Sequence, residues 1–583
     1  MKYPIALLVM VSFWLQPVGA DQQLESLKNI SAAGAPFLTL QMLEQAQPGI
    51  DQDLYAWILW EQERYQILTR WEQWNDLLLR IESLPQDLPE PFLQLAATFQ
   101  VTAYLELGQT RTARDLLRER LWQPEAGASD QYRDWRQLMI RVYLAEQRID
   151  DARIAMLRFQ QDFADGDKDW TLLRGRVLIQ AGRYDQAIEI LSGRLDWQSL
   201  SLKLLAEYRN QQHSPREMWD LARKRIEIIK DDPEQTATYW AIAAIAGDRL
   251  GRQQEVVALE SRLGIDAENV DKLYHSSGEQ LWQSYAGHAR QIGNRTELLF
   301  GDDQSWYRLA LDSLTRSAVD ARSLLAFLML ESPQKDMVNR AGEAFLKSLD
   351  LDSAQHQHLL EQLFNHSEQF NDAARIPVAV RFQLVDQALK RADIAGATRL
   401  MSGLTEVPEN TSRFDWLLRR ARVLILGGRY QQGNEVLDEL LANYREPDDK
   451  QTDRILQVLF DLQTIGRDED AVGYFRQLMN RPIEPQQKRE ILFWMGDSFA
   501  AMEQFNRAAL LYLQSAMFIG VEAMDPWAQT ARYKAAESLQ KAGLVDDARR
   551  IYESLLKVTR EPARRAVLTH SIQQLWLVQN ALE

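Results

Sequence analysis

No cysteine occurs among the 583 residues. That excludes disulfides, thiolate metal sites, a cysteine nucleophile and a lipidated cysteine. Long apolar runs are also scarce. Beyond the first twenty residues, stretches such as 239–246 and 323–330 fall well short of the ~18 apolar residues a spanning helix needs. Positive charge is the minority: 67 Lys and Arg stand against 83 Asp and Glu, for a net charge of −16. A dedicated nucleic-acid binder normally carries a basic face, so no nucleic-acid partner is expected. Glycine (27) and proline (18) are too few for a collagenous or low-complexity chain. Alternating strand-like runs are missing as well.

What is present begins with an address. Lys2 supplies a positive start, residues 5–15 are apolar except for Ser12, and Val18-Gly19-Ala20 places small residues at a cleavage position. This is the pattern of a secretory signal cut after Ala20. The apolar stretch is short against ~30 Å of hydrocarbon, so a cleaved signal is expected rather than an anchor. The mature chain is expected to be exported, with no transmembrane span. The brief, lightly charged signal points to the periplasm of a Gram-negative cell.

The remainder is periodic. Residues 169–187 read DWTLLRGRVLIQAGRYDQA and residues 415–433 read DWLLRRARVLILGGRYQQG. A third copy, DWRQLMIRVYLAEQRIDDA, occupies 134–152. A small residue recurs at Ala113, Ala152, Ala187, Ala222 and Val256, then at Gly433, Ala471, Ala508 and Ala548. Five residues before it lies a glycine at Gly108, Gly182, Gly251, Gly428, Gly466 and Gly543; three before it stands a bulky residue such as Ile149, Tyr184, Tyr430, Phe505 or Val545. The physical reading is a helical hairpin. The glycine closes the first helix in a left-handed conformation. The bulky residue opens the second helix, and the small residue sits where the two axes approach to ~8–10 Å. One hairpin cannot bury its apolar face, so neighbours must stack.

In these residues the chain resembles the tetratricopeptide repeat family, as an exported bacterial member. The unit at 489–516 fits through Leu492, Gly496, Phe499, Phe505, Ala508 and Tyr512, and the unit at 168–191 through Gly175, Leu178, Gly182, Tyr184 and Ala187. Several intervals exceed the family's, Gly433 replaces its alanine, and Gln253 and Asp468 replace its aromatic, so the units are TPR-like. The resemblance implies an all-α, right-handed α-solenoid of about a dozen stacked helical hairpins. The expected organisation is a signal peptide (1–20), a capping segment (21–50), an N-terminal array (51–270), irregular helical repeats (271–396) and a C-terminal array with a terminal capping helix (397–583). Within 271–396, Gly293 with Leu298 and Phe370 with Ala373 read as worn copies. The last helix is expected to be polar outward, as terminal repeats require.

Chemistry-bearing motifs are sparse. His356, His358 and His366 cluster, but residues i and i+2 of a helix point about 200° apart, so no shared metal is expected. Ser332-Pro333-Gln334-Lys335 matches an S-x-x-K nucleophile motif without its companion motifs. Glu331-Ser332 is similar to the start of the lytic transglycosylase signature, which then departs at Pro333. No cofactor and no enzymatic activity are expected.

The surface carries the functional reading. In the family the first helix of each hairpin lines the concave face. Asp134, Asp169 and Asp415 fall near the starts of such helices, and Arg141, Arg176 and Arg422 follow seven residues later, on nearly the same side. Such rows could grip a protein or peptide partner through charge-assisted hydrogen bonds, or pair with each other as a ladder. Among seventeen tryptophans, Trp57, Trp60, Trp71 and Trp74 concentrate in one segment. They are expected to face one another as core, or to offer stacking faces to an envelope glycan. The expected function is a periplasmic scaffold for a protein or peptide in an envelope transport, secretion or cell-wall complex. Carbohydrate binding is the alternative.

Overall fold

The structure is a computed structural model. It describes residues 20–85, 87–122, 130–163, 168–229, 232–267, 270–274, 276–293, 302–408, 411–522 and 524–580. The signal segment before Ala20 lies outside the described residues, and so does Leu298. Thirty α-helices and three 3-10 turns make up the described regular structure, with no strand. None of these helices is long and apolar enough to cross a membrane. The chain divides into two compact units. One comprises Met1–Lys230 with Asp271–Tyr274; the other comprises Asp231–Val270 with His275–Glu583.

In the first unit, helices follow one another as antiparallel hairpins: Leu54–Arg70 with Trp74–Glu82, Glu90–Glu106 with Thr110–Leu121, Asp130–Ala145 with Ile149–Asp162, and Lys168–Gln180 with Tyr184–Leu191. The segment expected to cap the array forms two helices, Ala20–Ala32 and Pro36–Ala46. They bury Leu24, Leu27 and Leu43 against Trp60 and Ile67.

The hairpin turn is the same piece of chemistry throughout. At nine turns, Glu72, Gly108, Gln147, Gly182, Ala392, Gly428, Gly466, Glu503 and Gly543 adopt positive φ, two residues before the next helix. The residue that follows donates its N–H to the carbonyl five positions back at 2.8–2.9 Å, as in Arg183 to Leu178 and Gln504 to Phe499. This is the Schellman closure, which satisfies carbonyls that the helix end leaves open. Three residues into the following helix lies a small residue at eight of the nine turns, with Leu77 standing there after the Glu72 turn. Ala113, Ala152, Ala187, Ala397, Ala471, Ala508 and Ala548 are all fully buried. At Gly433 an added Cβ would stand 2.6 Å from Ile425 Cγ1 and 3.2 Å from the Ile425 backbone nitrogen. The departure from alanine there follows from a closer helix approach.

Four of the nine left-handed positions are not glycine, and Ala392 has neither glycine's freedom nor a polar side chain to bond locally. Left-handed backbone costs an L-residue about 1–2 kcal/mol. Ala392→Gly should therefore stabilise the protein by about 1 kcal/mol. Gly428→Ala, where an added Cβ meets nothing within 4 Å, should destabilise it by a similar amount through the backbone alone. Paired denaturation curves check both.

In the second unit the C-terminal part is a regular array. One continuous core runs from Phe414 to Ala535 across successive hairpins. The stretch before it is different. Helices Arg252–Leu263 and Gly278–Ile292 both pack against Ala318–Glu331 and against Ala354–Phe364, far along the chain. Trp282 anchors this packing. Its Nε1–H donates to the Leu363 carbonyl at 2.9 Å, and its ring meets Tyr285, Phe364 and Phe370. Several expectations for this stretch are corrected. Phe370 and Ala373 belong to two 3-10 turns, Glu368–Phe370 and Ala373–Arg375, and not to a hairpin. Gly293 has φ −90°; an added Cβ would lie 2.5 Å from the Trp306 ring, so packing and not a turn requires the glycine there. A hairpin that keeps the repeat turn in this stretch is Val378–Lys390 with Ile394–Met401. The terminal helix Pro562–Asn580 exposes Arg564, Arg565, Thr569, His570, Gln573 and Gln574, and also Val567 and Trp576, which are half-exposed or more. Val567 lines an open cavity of about 420 Å³ with Tyr533, Leu555 and Leu568.

Candidate functional site

The Asp/Arg rows resolve into two distinct arrangements. In the second unit they are largely consumed. Asp415 and Arg422 lie seven residues apart on the helix Arg413–Leu426; Arg454 and Asp461 lie seven apart on Asp449–Thr464, with the signs reversed. Asp415 Oδ1 accepts from Arg454, and Arg422 Nε pairs with Asp461 Oδ2 at 2.7 Å. Seven residues is nearly two full turns, so both rungs face the neighbouring helix. A solvent-exposed rung contributes at most ~1 kcal/mol.

The two acids of this ladder titrate in opposite senses. Asp415 is held below the ordinary carboxylate range by the Ser412 hydroxyl and then by Arg454. Burial pushes the Asp461 carboxyl up against the opposing pull of Arg422. A depressed folded pKa gives stability that is present above the unfolded value and lost as pH falls through the folded one. A raised folded pKa gives stability that is present below the unfolded value and lost as pH rises through the folded one. Asp415→Asn should therefore flatten the loss of stability below pH about 4, and Asp461→Asn should remove a loss that begins above it. Thermal unfolding midpoints of both variants across pH 2–7 check the opposite signs.

In the first unit the rows remain accessible. Asp134 and Arg141 are exposed on the helix Asp130–Ala145, and Asp169 is exposed at the start of Lys168–Gln180. Arg141 and Asp169 form no ion pair with another described residue. These first helices pack side by side, Asp130–Ala145 on Lys168–Gln180 and the latter on Trp197–Arg209. They are positioned by buried Trp135 and Trp170, each in the first or second turn of its helix. Arg176 is different again. Its Nε donates to Asp271 Oδ2 at 2.5 Å, a residue ninety-five positions away. Asp271 directly precedes a 3-10 turn, Lys272–Tyr274, and the piece Asp271–Tyr274 is counted with this unit. Tyr274 is buried and its hydroxyl donates to Ser201 Oγ at 3.2 Å. The segment carries no repeat signature, and nothing in the repeat pattern singled out Asp271, Tyr274 or Ser201.

Of the four tryptophans, Trp57 and Trp74 share one core cluster, and Trp60 and Trp71 lie apart from it. Trp57 and Trp60 are buried in separate clusters, the first edge-on to Phe92. Trp71 is not helical but closes the end of Leu54–Arg70, and it is 44% exposed. Phe37, itself 60% exposed, lies 6.4 Å from it between ring centroids.

The histidines do not converge. His356 Nδ1 lies against the backbone of Asp350, and His358 and His366 lie near Gln362 and Glu361 respectively. Among the described residues no group of three His, Asp or Glu could hold a metal ion. Ser332 Oγ donates to Asp303 and not to Lys335.

The fold and these turns define a TPR-like helical-repeat architecture. The tetratricopeptide repeat family matches residues 530–558, the hairpin that contains Gly543 and Ala548. No curated protein matches the chain. Similar solved structures include the APC/C hetero-tetramer Cut9–Hcn1, 12% identical with a TM-score of 0.30, covering 95% of this chain and 97% of that one. Yeast Tom70 is 10% identical with a TM-score of 0.22, covering 90% and 96%. The pentatricopeptide repeat protein PPR10, solved with an 18-nt psaJ RNA element, is 11% identical with a TM-score of 0.25, covering 95% and 96%.

Proposed function

We propose that the protein is a non-enzymatic periplasmic scaffold that binds a protein or peptide partner on the first-helix face of its N-terminal unit, within an envelope transport, secretion or cell-wall complex. One observation supports this above the others. Arg141 and Asp169 stand exposed without ion-pair partners among the described residues, on the face where Arg176 already holds a carboxylate from elsewhere in the chain. The sites offered to a partner are Arg141 and Asp169. The equivalent Asp415 and Arg422 of the second unit are engaged with Arg454 and Asp461. An arginine fork on an exposed face recognises carboxylates with two parallel hydrogen bonds.

The test is capture from periplasmic extract by residues 21–583, beside Arg141→Glu at matched helicity and thermal midpoint. A partner retained by the wild type should be lost from the variant by about tenfold or more, and should elute as salt rises past ~0.15 M. Equal retention by both proteins sinks the Arg141 face. Glycan binding is the second reading, favoured by the exposed Trp71–Phe37 pair. It requires retention on peptidoglycan or polysaccharide that Trp71→Ala abolishes and salt leaves unchanged.

A further inference from the structure

We propose that the first-helix face carrying Arg176 and Ser201 recognises a single acidic–aromatic turn, Asp-x-x-Tyr, and that Asp271–Tyr274 is a built-in occupant which a partner peptide of the same chemistry displaces. The proposal rests on the protein-binding reading of this face given above.

The segment behaves as a ligand would. It is a 3-10 turn, Lys272–Tyr274, preceded by Asp271. Asp271 and Tyr274 both reach the first-helix face, at Arg176 and Ser201. Both carboxylate oxygens of Asp271 are used. Oδ1 accepts the Leu273 N–H at 3.0 Å and fixes the turn from within; Oδ2 takes the Arg176 guanidinium. The Tyr274 N–H closes the turn on the Asp271 carbonyl at 2.8 Å. At the other end, the Tyr274 hydroxyl donates to Ser201 Oγ, whose own hydrogen goes to the Gln198 carbonyl at 2.9 Å. Donors and acceptors are thus matched along the contact. The receiving residues come from two adjacent first helices, Lys168–Gln180 and Trp197–Arg209, bridged by Lys168 Nζ to Gln198 Oε1 at 2.9 Å.

A turn capped by its own aspartate is organised before it docks, which lowers the ordering entropy that binding must offset. A tethered occupant also acts at an effective concentration in the millimolar range. A free peptide therefore competes poorly until the tethered copy is weakened. Arg141, exposed on the next first helix, extends the same face beyond the occupied part. A partner that offers a second carboxylate there gains a contact the internal segment does not make.

The probe is a fluorescein-labelled VDKLY peptide, a copy of residues 270–274, added to the full chain. Asp271→Asn removes the charge that holds Arg176, with almost no change in side-chain volume. It should bind the probe at least about tenfold more tightly than the wild type does. Arg176→Ala added to Asp271→Asn should remove that gain, and a VNKLA probe should not bind. The second measurement is made on the wild type, so a poorly folded variant does not decide the question. Hydrogen exchange at the Leu273 and Tyr274 amides should accelerate when unlabelled VDKLY is added in excess. Equal probe binding by wild type and Asp271→Asn, or amides that the peptide leaves unchanged, overturns the proposal and makes the segment a fixed part of the unit. A partner that Arg141→Glu loses while VDKLY displaces nothing leaves the scaffold reading intact and removes only this inference.

Discussion

Arg322→Leu should lower the stability of the second unit by about 3–5 kcal/mol, among the largest losses expected for any single substitution in the protein. Glu260 and Arg322 are both less than a tenth exposed. The guanidinium meets the carboxylate through two parallel bonds, Nε to Oε1 at 2.7 Å and Nη2 to Oε2 at 2.5 Å. Buried Tyr285 adds a third hydrogen bond to Oε1 at 2.8 Å, and Arg322 Nη1 reaches the Ser348 carbonyl at 3.3 Å. Removing the arginine strands a carboxylate that is about nine-tenths shielded from water. The penalty comes from that stranded charge and not from the intrinsic strength of the pair. The companion result is therefore diagnostic. Glu260→Leu combined with Arg322→Leu should recover most of the loss, because two apolar groups leave no ionised carboxylate to desolvate. Denaturant unfolding of the two variants, followed by circular dichroism, checks the order. A double variant as damaged as Arg322→Leu would mean that the cluster acts through shape and not charge.

Gly247→Ala should be the second large effect. Elsewhere in a helix this substitution gains about 0.5–1 kcal/mol. At Gly247 the new Cβ would lie 2.8 Å from the Glu255 nitrogen, 2.9 Å from its Cα and 3.1 Å from the Gln254 carbonyl carbon, all backbone. Backbone cannot rotate away, so the helices Pro233–Leu250 and Arg252–Leu263 must separate. Only Gly251 joins them. Overpacking costs about 1–3 kcal/mol in ordinary cores, and here the net loss should reach the upper end. Gly175→Ala is the control. Its Cβ would meet the Leu191 side chain at 3.2–3.3 Å, which can shift, so its loss should be well under half as large. Thermal midpoints of the two variants make the comparison.

The helical arrays were legible in the sequence because two physical demands leave fixed marks. A left-handed turn selects glycine at Gly182, Gly428 and Gly543, and a close helix approach selects a small residue at Ala187, Ala508 and Ala548. The hairpin at 378–401 was missed because Ala392 occupies the left-handed position, although Ile394 and Ala397 keep the rest of the pattern. The middle of the second unit was illegible for another reason. Trp282 and Leu363 are bonded across eighty-one positions, and no local period encodes such a contact. The Asp/Arg rows were placed on the correct helices and an ion-pair ladder was among their readings, but the partners Arg454 and Asp461 were not named. The signal was available: Arg454 and Asp461 repeat the seven-residue spacing of Asp415 and Arg422 with the charges exchanged. Asp271 and Tyr274 had no such counterpart.

The contrast between the two halves of the second unit also sets the order in which it forms. In the C-terminal array each helix meets partners within the same hairpin or the next one. Such short-range contacts assemble quickly, in the microsecond-to-millisecond range for helical domains. The Glu260–Arg322 and Trp282–Leu363 contacts must instead close loops of sixty-two and eighty-one residues. The entropy of closure grows as about (3/2)RT ln n and must be met before any of that burial is gained. Refolding should thus be biphasic, with a fast phase from residues 413–558 and a slower one that Arg322→Leu retards while leaving the fast phase unchanged. On a ribosome, the slow-closing middle emerges before the fast array that follows it, and its apolar helices wait exposed until residue 363 has been made.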